Sequence, residues 1–352
     1  MKIKFFLLPY IKPTDSNFQH QEICLAEGFK TKNISFCGNI NYWFDNTTKT
    51  YLIQKEEGTF QPTVCIYSSL YFHKYYDQFK LANGCINILI DNEDGYNTAC
   101  DKPRAKEFTL ILRTHFTLHH KYNVNVVPWA FGLSNRIIQE LKLSYNLPIK
   151  NRCLSNFRVS YNLRELAINR INPIISKRFE IIQKLTEGLD LVERENLSEF
   201  DYWNQTGRRH NTEYYKLLNS SLLTHTFGGV LEYKSSLHRI KEWAEKRIKF
   251  RLSNNFNLYQ YDSWRLWEVF ASNSCPLNID FSDWNILLPE MPVNGIHFWG
   301  VKGINFEKSA KDLMHLKREE IMKISQAGKN WSLKNYSPVA TAKRFIKHIE
   351  SL

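Results

Sequence analysis

Six short apolar runs punctuate the first third of the chain: IKFFLLP (3–9), NISFCGN (33–39), TVCIYSS (63–69), CINILID (85–91), FTLILRT (108–114) and NVNVVPWAF (123–131). In most of them the apolar residues run on instead of alternating with polar ones. That is the pattern of strands buried on both faces of a mainly parallel sheet. Helical patterns lie between several of the runs. FQHQEICLAEGF (18–29) places Ile23, Leu25 and Ala26 on a core face and predicts a stop at Gly28. Strand and helix alternate, so the fold class is α/β.

A second series follows SNRIIQELKLSY and the loop NLPIKNR (146–152). CLSNFRVS (153–160) reads as a strand and YNLRELAINRINPIISKRFEIIQKL (161–185) as one or two helices. GLDLVE (188–193), SLLTHTF (221–227), FNLYQ (256–260) and CPLNID (275–280) read as strands separated by helices. SPVATAKRFIKHIESL predicts a terminal helix with Pro338 in its first turn, packed on its own domain or crossing back to the first. The predicted division is 1–145, 146–335 and a C-terminal helix over 336–352, which suits the 352-residue length.

Composition narrows the class. Apolar residues make up 43% of the chain, enough for two cores. Seven cysteines form an odd, scattered set with no CxxC pair, which argues against a disulfide framework or a zinc site and suits a reducing compartment. MKIKFFLLPY has an apolar core too short for a signal peptide, broken by Pro9, and reads as a buried first strand. No apolar run reaches bilayer length. A cytoplasmic protein is expected. Its net charge of +12 favours anionic partners and permits peripheral contact with an anionic membrane. No nucleic-acid motif accompanies the charge, so no nucleic-acid partner is expected. The chain also lacks GxxxxGK[ST], GxSxG and HExxH.

The stretch YDSWRLWEVFASNSCPLNID (261–280) carries the most specific chemistry. Asp262 or Ser263 can cap a helix whose N-terminus would attract phosphate. Arg265 can add a bidentate contact, and Glu268 lies on a neighbouring part of the same face. Taken alone, these residues read equally as a capped helix with a surface ion pair. The string S-x-R-L-x-E-V-F-A, followed by a loop, Pro276 and an apolar run, resembles the nucleotide-sugar signature of GT-B glycosyltransferases. It is most similar to that of the exostosin-like and related bacterial sugar transferases. Two departures stand out: Gln260 occupies the place of a first acidic residue, and Ser274–Cys275 that of a small one.

The resemblance implies two Rossmann-like domains facing a cleft and a metal-independent enzyme without a cofactor. It implies transfer of a sugar from a nucleotide-diphosphate donor to a hydroxyl of a glycan or lipid-linked acceptor. Donor binding would fall to Ser263, Arg265 and Glu268, with Arg158 of SNFRVSYNLRELA and Arg208 and Arg209 of the GRRH segment. The absent first carboxylate leans towards inversion. The loop after the first strand belongs at the carboxyl edge of its sheet, where open α/β sheets bind ligands. There His20 is the expected general base, with Asp15, Glu22 and Glu27 as rivals. Asn17, Asn41, Tyr42 and Trp43 are the expected acceptor contacts, amides for hydroxyls and aromatic faces for the sugar ring. Two other readings stay open. One is a metal-dependent GT-A transferase using Asp91 and Asp94, although their spacing is not DxD. The other is a non-catalytic protein that binds carbohydrate or nucleic acid through its basic surface.

Overall fold

The computed structural model of the chain describes residues 1–9, 19–45, 48–95, 98–157, 159, 161–184, 212–233 and 256–352. The continuous apolar runs form two parallel sheets. The first contains β1 (Lys2–Phe6), β2 (Ser35–Gly38), β5 (Val64–Ser68), β6 (Ile86–Asp91), β7 (Leu110–Arg113) and β8 (Val126–Pro128). Their order is β2-β1-β5-β6-β7-β8, with every neighbouring pair parallel. Between β2 and β5, β3 (Tyr42–Asp45) and β4 (Thr50–Ile53) form a separate antiparallel hairpin.

Successive residues of a strand point to opposite faces. Ile3, Phe5, Ile66, Ile88 and Leu112 therefore meet α1 (His20–Thr31) on one face. Cys65, Tyr67, Leu89 and Ile111 meet α2 (Ser69–Lys74) and the 99–108 segment on the other. Two covered faces leave no place for alternation, which is why these strands read as unbroken apolar runs.

The second sheet has β9 (Lys150–Asn156), β10 (Glu180–Lys184), β11 (Ser221–His225), β14 (Cys275–Ile279) and β15 (Trp299–Val301). Its order is β10-β9-β11-β14-β15, again all parallel. β12 (Val230–Tyr233) and β13 (Phe256–Tyr259) pair antiparallel outside it. Around it lie α3 (Asn135–Leu143), α4 (Asn162–Ile175), α5 (Thr212–Asn219), α6 (Trp264–Ala271), α7 (Phe306–His315) and α8 (Arg318–Tyr336). The C-terminal helix is α9 (Pro338–Glu350). Among the described residues no helix is long and apolar enough to cross a membrane.

Several expectations need correction. The stretch 161–185 is not helical throughout: Pro173 sits in the last turn of α4, and EIIQK is the edge strand β10. β9 begins at Lys150, so NFRVS lies at and beyond its end. FNLYQ is a strand, but it belongs to the antiparallel ribbon. GLDLVE lies outside the described residues. Gly28 does not stop α1, which runs on to Thr31. A Cβ at Gly28 would stand 2.1 Å from the Pro338 carbonyl oxygen and 2.6 Å from Ala342 Cβ. Its missing side chain is what lets α9 lie against α1, where Phe345 meets Phe29 with ring centroids 5.3 Å apart. α3 packs the other way, putting Ile137 and Leu141 into the second core.

The halves also meet beside β7. Thr117 bridges Ile286, Leu118 N donates to Asn285 O at 2.8 Å, and Leu287 N donates to Phe116 O at 3.1 Å.

Candidate active site

In each sheet the chain reverses direction of build-up at one place: between β1 and β5, and between β9 and β11. Ligands of open α/β sheets bind outside the carboxyl ends of strands at such a switch point. At the first, the Gln19 side chain brackets Leu8, accepting from its N–H at 3.1 Å and donating to its carbonyl at 2.9 Å. That fixes the start of α1 over the end of β1. At the second, Phe157 follows β9, and Phe227 follows β11 by two residues.

The motif residues face this second switch point. Ser263 is the N-cap of α6, but in an extended conformation and without a side-chain cap bond. Arg265 is half-buried, and its guanidinium carbon lies 5.9 Å from the centre of the Phe157 ring. Its Nε is buried without a hydrogen-bond partner. Arg164, from the first turn of α4, reaches the same ring at 5.3 Å and donates from Nε to the Phe227 carbonyl at 3.0 Å. Glu268 is turned inward, 1% exposed, and its Oε2 accepts from the Tyr214 hydroxyl at 2.8 Å. Burial, and then the Glu268 charge, push the Tyr214 hydroxyl well above its ordinary pKa, with Arg265 opposing. Gln260 has a left-handed φ of 60°, and its Oε1 is buried without a partner. Arg158, Arg208 and Arg209 lie outside the described residues.

His20, at the head of α1, is fully buried. Its Nε2 lies 3.0 Å from the Gly132 carbonyl, which only accepts, so the neutral ring carries its proton on Nε2. The ring stands edge-on to Trp264, centroids 6.3 Å apart, and Trp264 separates Ser263 from Arg265. The fold thus brings the expected base from the first sheet to the start of the expected donor helix. Tyr42 is buried and accepts from Gln19 N at 3.2 Å, next to His20. Asn41 is exposed and accepts from Lys55 N at 2.8 Å across the hairpin. Trp43 lies under the Arg136 guanidinium at 4.9 Å. Asn17 and Asp15 lie outside the described residues.

Of the rivals to His20, Glu27 accepts from Asn135 N at 2.6 Å and is occupied in holding α3. Glu22 is fully buried, and neither carboxyl oxygen has a partner. Burial pushes its carboxyl up to about 8. Asp91, one of the two expected metal ligands of the alternative reading, is fully engaged. It accepts from Arg113 Nη1 at 3.0 Å, Thr98 Oγ1 at 2.9 Å and Cys100 N at 2.8 Å. Among the described residues no group of three or more His, Cys, Asp or Glu is placed to hold a metal ion.

One further pair stands at the carboxyl ends of two strands of the first sheet. Asp94 lies in the loop after β6 with its side chain 60% exposed, and His115, two residues beyond β7, lies 3.2 Å from it. Partial burial raises the Asp94 carboxyl, but His115, Arg113 and Arg164 outweigh it and hold it below the usual range. The available signal was position: both follow apolar strands and so fall at the carboxyl edge.

Asp262 is buried between the halves. Its Oδ2 accepts from Phe131 N at 3.0 Å and its Oδ1 from Trp267 Nε1 at 2.7 Å. Burial pushes its carboxyl up to about 6, against the pull of His115 and these bonds.

No protein-family model and no curated protein matches the chain. Solved structures do. AviGT4, a glycosyltransferase involved in avilamycin A biosynthesis, superposes with a TM-score of 0.56 at 12% identity, over 100% of this chain and 97% of that one. HepE of Anabaena, in complex with UDP, superposes with a TM-score of 0.54 at 11% identity, over 100% of both chains. A glycosyltransferase from Rickettsia africae gives 0.52 at 10% identity, over 99% of this chain and 98% of that one. At such identities the likeness is one of fold: the chain has the two-domain GT-B architecture of these glycosyltransferases.

Proposed function

We propose that the chain is a glycosyltransferase that moves a sugar from a nucleotide-diphosphate donor to a hydroxyl of a glycan or lipid-linked acceptor, without a metal ion. The observation that carries the reading is Arg265: a guanidinium with a buried, unpartnered Nε, one residue into a helix that begins at a sheet switch point. Buried polar groups are nearly always satisfied, so an unpaired one at such a place fits a ligand-binding role. The likeness of fold to HepE, solved with UDP and with UDP-glucose, supports a uridine nucleotide as the first donor to try.

The acceptor hydroxyl attacks the anomeric carbon while the bond to the diphosphate oxygen breaks. Charge then grows on the departing diphosphate. Arg265 and the N-terminus of α6 at Ser263 meet that charge, with Arg158, Arg208 and Arg209 as further cations. Fixed cations of this kind do the work that a divalent ion does in metal-dependent transferases. Glu268, turned inward and bonded to Tyr214, anchors the helix that presents Arg265. His20 takes the proton from the attacking hydroxyl. Its Nε2 donates to the Gly132 carbonyl, which fixes the orientation of the ring beside Trp264. Attack from the face opposite the leaving group inverts the anomeric centre. Asn17, Asn41 and Trp43 then belong to the acceptor rim, whereas Tyr42 is buried and holds Gln19.

Thermal shift with a panel of nucleoside diphosphates tests the reading, because a ligand of the native state raises its melting temperature. A rise with UDP or another nucleoside diphosphate supports it; no rise with any of them sinks it.

A further inference from the structure

We infer that His115 is a positioning residue: it aims the Asp94 carboxylate into the cleft, and its own orientation is set by the main-chain N–H of Asp262 from the opposite half. The step deepens the transferase reading, on which it rests for the group that Asp94 then binds, a sugar hydroxyl.

The chain of contacts fixes a tautomer. Asp262 N lies 3.1 Å from His115 Nδ1. A main-chain amide only donates, so Nδ1 must hold a lone pair and the neutral ring carries its proton on Nε2. Nε2 is the atom that faces Asp94, 3.2 Å from Oδ1 and off the alignment of a full hydrogen bond. Contacts of this kind often tighten only when substrate is bound. His115 also has a left-handed φ of 54°, an uncommon conformation outside glycine, at the edge of the cleft.

Both ends of the chain are anchored. The Asp94 loop is held by Arg113, whose Nη1 donates to Asp91 Oδ1 at 3.0 Å and to the Glu93 carbonyl at 2.8 Å. At the other end, Asp262 is pinned by Phe131 and Trp267, and Tyr261 donates from its hydroxyl to the Phe116 carbonyl at 2.9 Å. Asp262 directly precedes Ser263, so the segment that presents Arg265 to a donor also sets the histidine facing Asp94. Gly95 supplies the left-handed φ of 91° at which this loop bends. Separation of the halves would remove the donor from Nδ1 and release the aim of Asp94. An ionised carboxylate held this way accepts strongly from a hydroxyl.

Nitrogen NMR of the histidine rings at pH 8 reads the tautomer directly, with His115 assigned by loss of its signal in His115→Gln. The expected result is a proton on Nε2 and a lone pair on Nδ1; an Nδ1-protonated or averaged ring overturns the inference. Turnover is read as release of UDP from UDP-glucose. His115→Ala and Asp94→Asn should each lower it about 100-fold while UDP affinity stays within about twofold. His115→Gln, whose amide keeps one acceptor and one donor, should recover most of the loss. His115→Gln falling as far as His115→Ala, with both folded, overturns the inference, as does an unimpaired His115→Ala. If the native protein neither binds UDP nor releases it from UDP-glucose, the uridine-donor reading fails, while the tautomer measurement still decides the relation of Asp262 to His115.

Discussion

The hydroxyl of Tyr214 donates to Glu268 Oε2 at 2.8 Å, across 54 residues of sequence, and both side chains are buried. Arg265 and Glu268 therefore do not form the exposed ion pair that their spacing on a helix suggests. The phenol takes up a carboxylate that burial would otherwise penalise. Tyr214→Phe leaves that oxygen short of a donor, and the expected loss is about 1–3 kcal/mol. Urea denaturation checks it; an unchanged midpoint would mean that the bond contributes nothing.

Glu22 and Glu27 make stability depend on pH. Burial pushes both carboxyls up to about 8 from an ordinary value of 4.5, at Glu27 against the Asn135 N–H bond and Arg136. The folded chain then holds these protons more tightly than the unfolded chain. Stability contributed by the protonated groups is full below about 4.5, falls as pH rises towards 8, and levels off above that. Glu22→Gln removes one of the two titrations. The variant should match the native protein near pH 4 and exceed it at pH 9 by on the order of 3 kcal/mol. Melting temperatures across that range test the sign, which would be reversed if Glu22 were stabilised as an anion.

Gly28→Ala probes the seat of the C-terminal helix. The new Cβ would meet main-chain atoms of Pro338, which cannot swing aside as a side chain can. A destabilisation of about 1–3 kcal/mol is expected from such overpacking, seen as a lower denaturation midpoint. No change would show that α9 shifts off α1 at little cost.

His20→Ala separates catalysis from binding. Loss of a general base should cut turnover of UDP-glucose with an acceptor by about 100-fold or more, and leave UDP affinity unchanged. A parallel loss of affinity would assign His20 to the packing between α1 and Trp264 instead.

How much of this was legible in the sequence depended on distance along the chain. β5 and β6 could be read because both faces are covered and the apolar residues therefore run together. β10 could not: EIIQK has only two apolar residues and follows α4 after the turn at 176–179, and its strand identity comes from pairing with β9. Gly28 resembled a helix stop because nothing local shows that α9 crosses there. The motif at 261–280 located α6, yet the inward turn of Glu268 depends on Tyr214, far upstream. The setting of His115 is hidden for the same reason, since its partner Asp262 is 147 residues away. Local pattern specified the elements; the site is made where the two sheets bring distant residues together.

The most direct test of the account is calorimetry with UDP on the native protein and on Arg265→Ala. The account predicts saturable binding by the native protein and affinity lower by at least about tenfold, roughly 1.4 kcal/mol, in the variant. Equal affinity in the two proteins would contradict it.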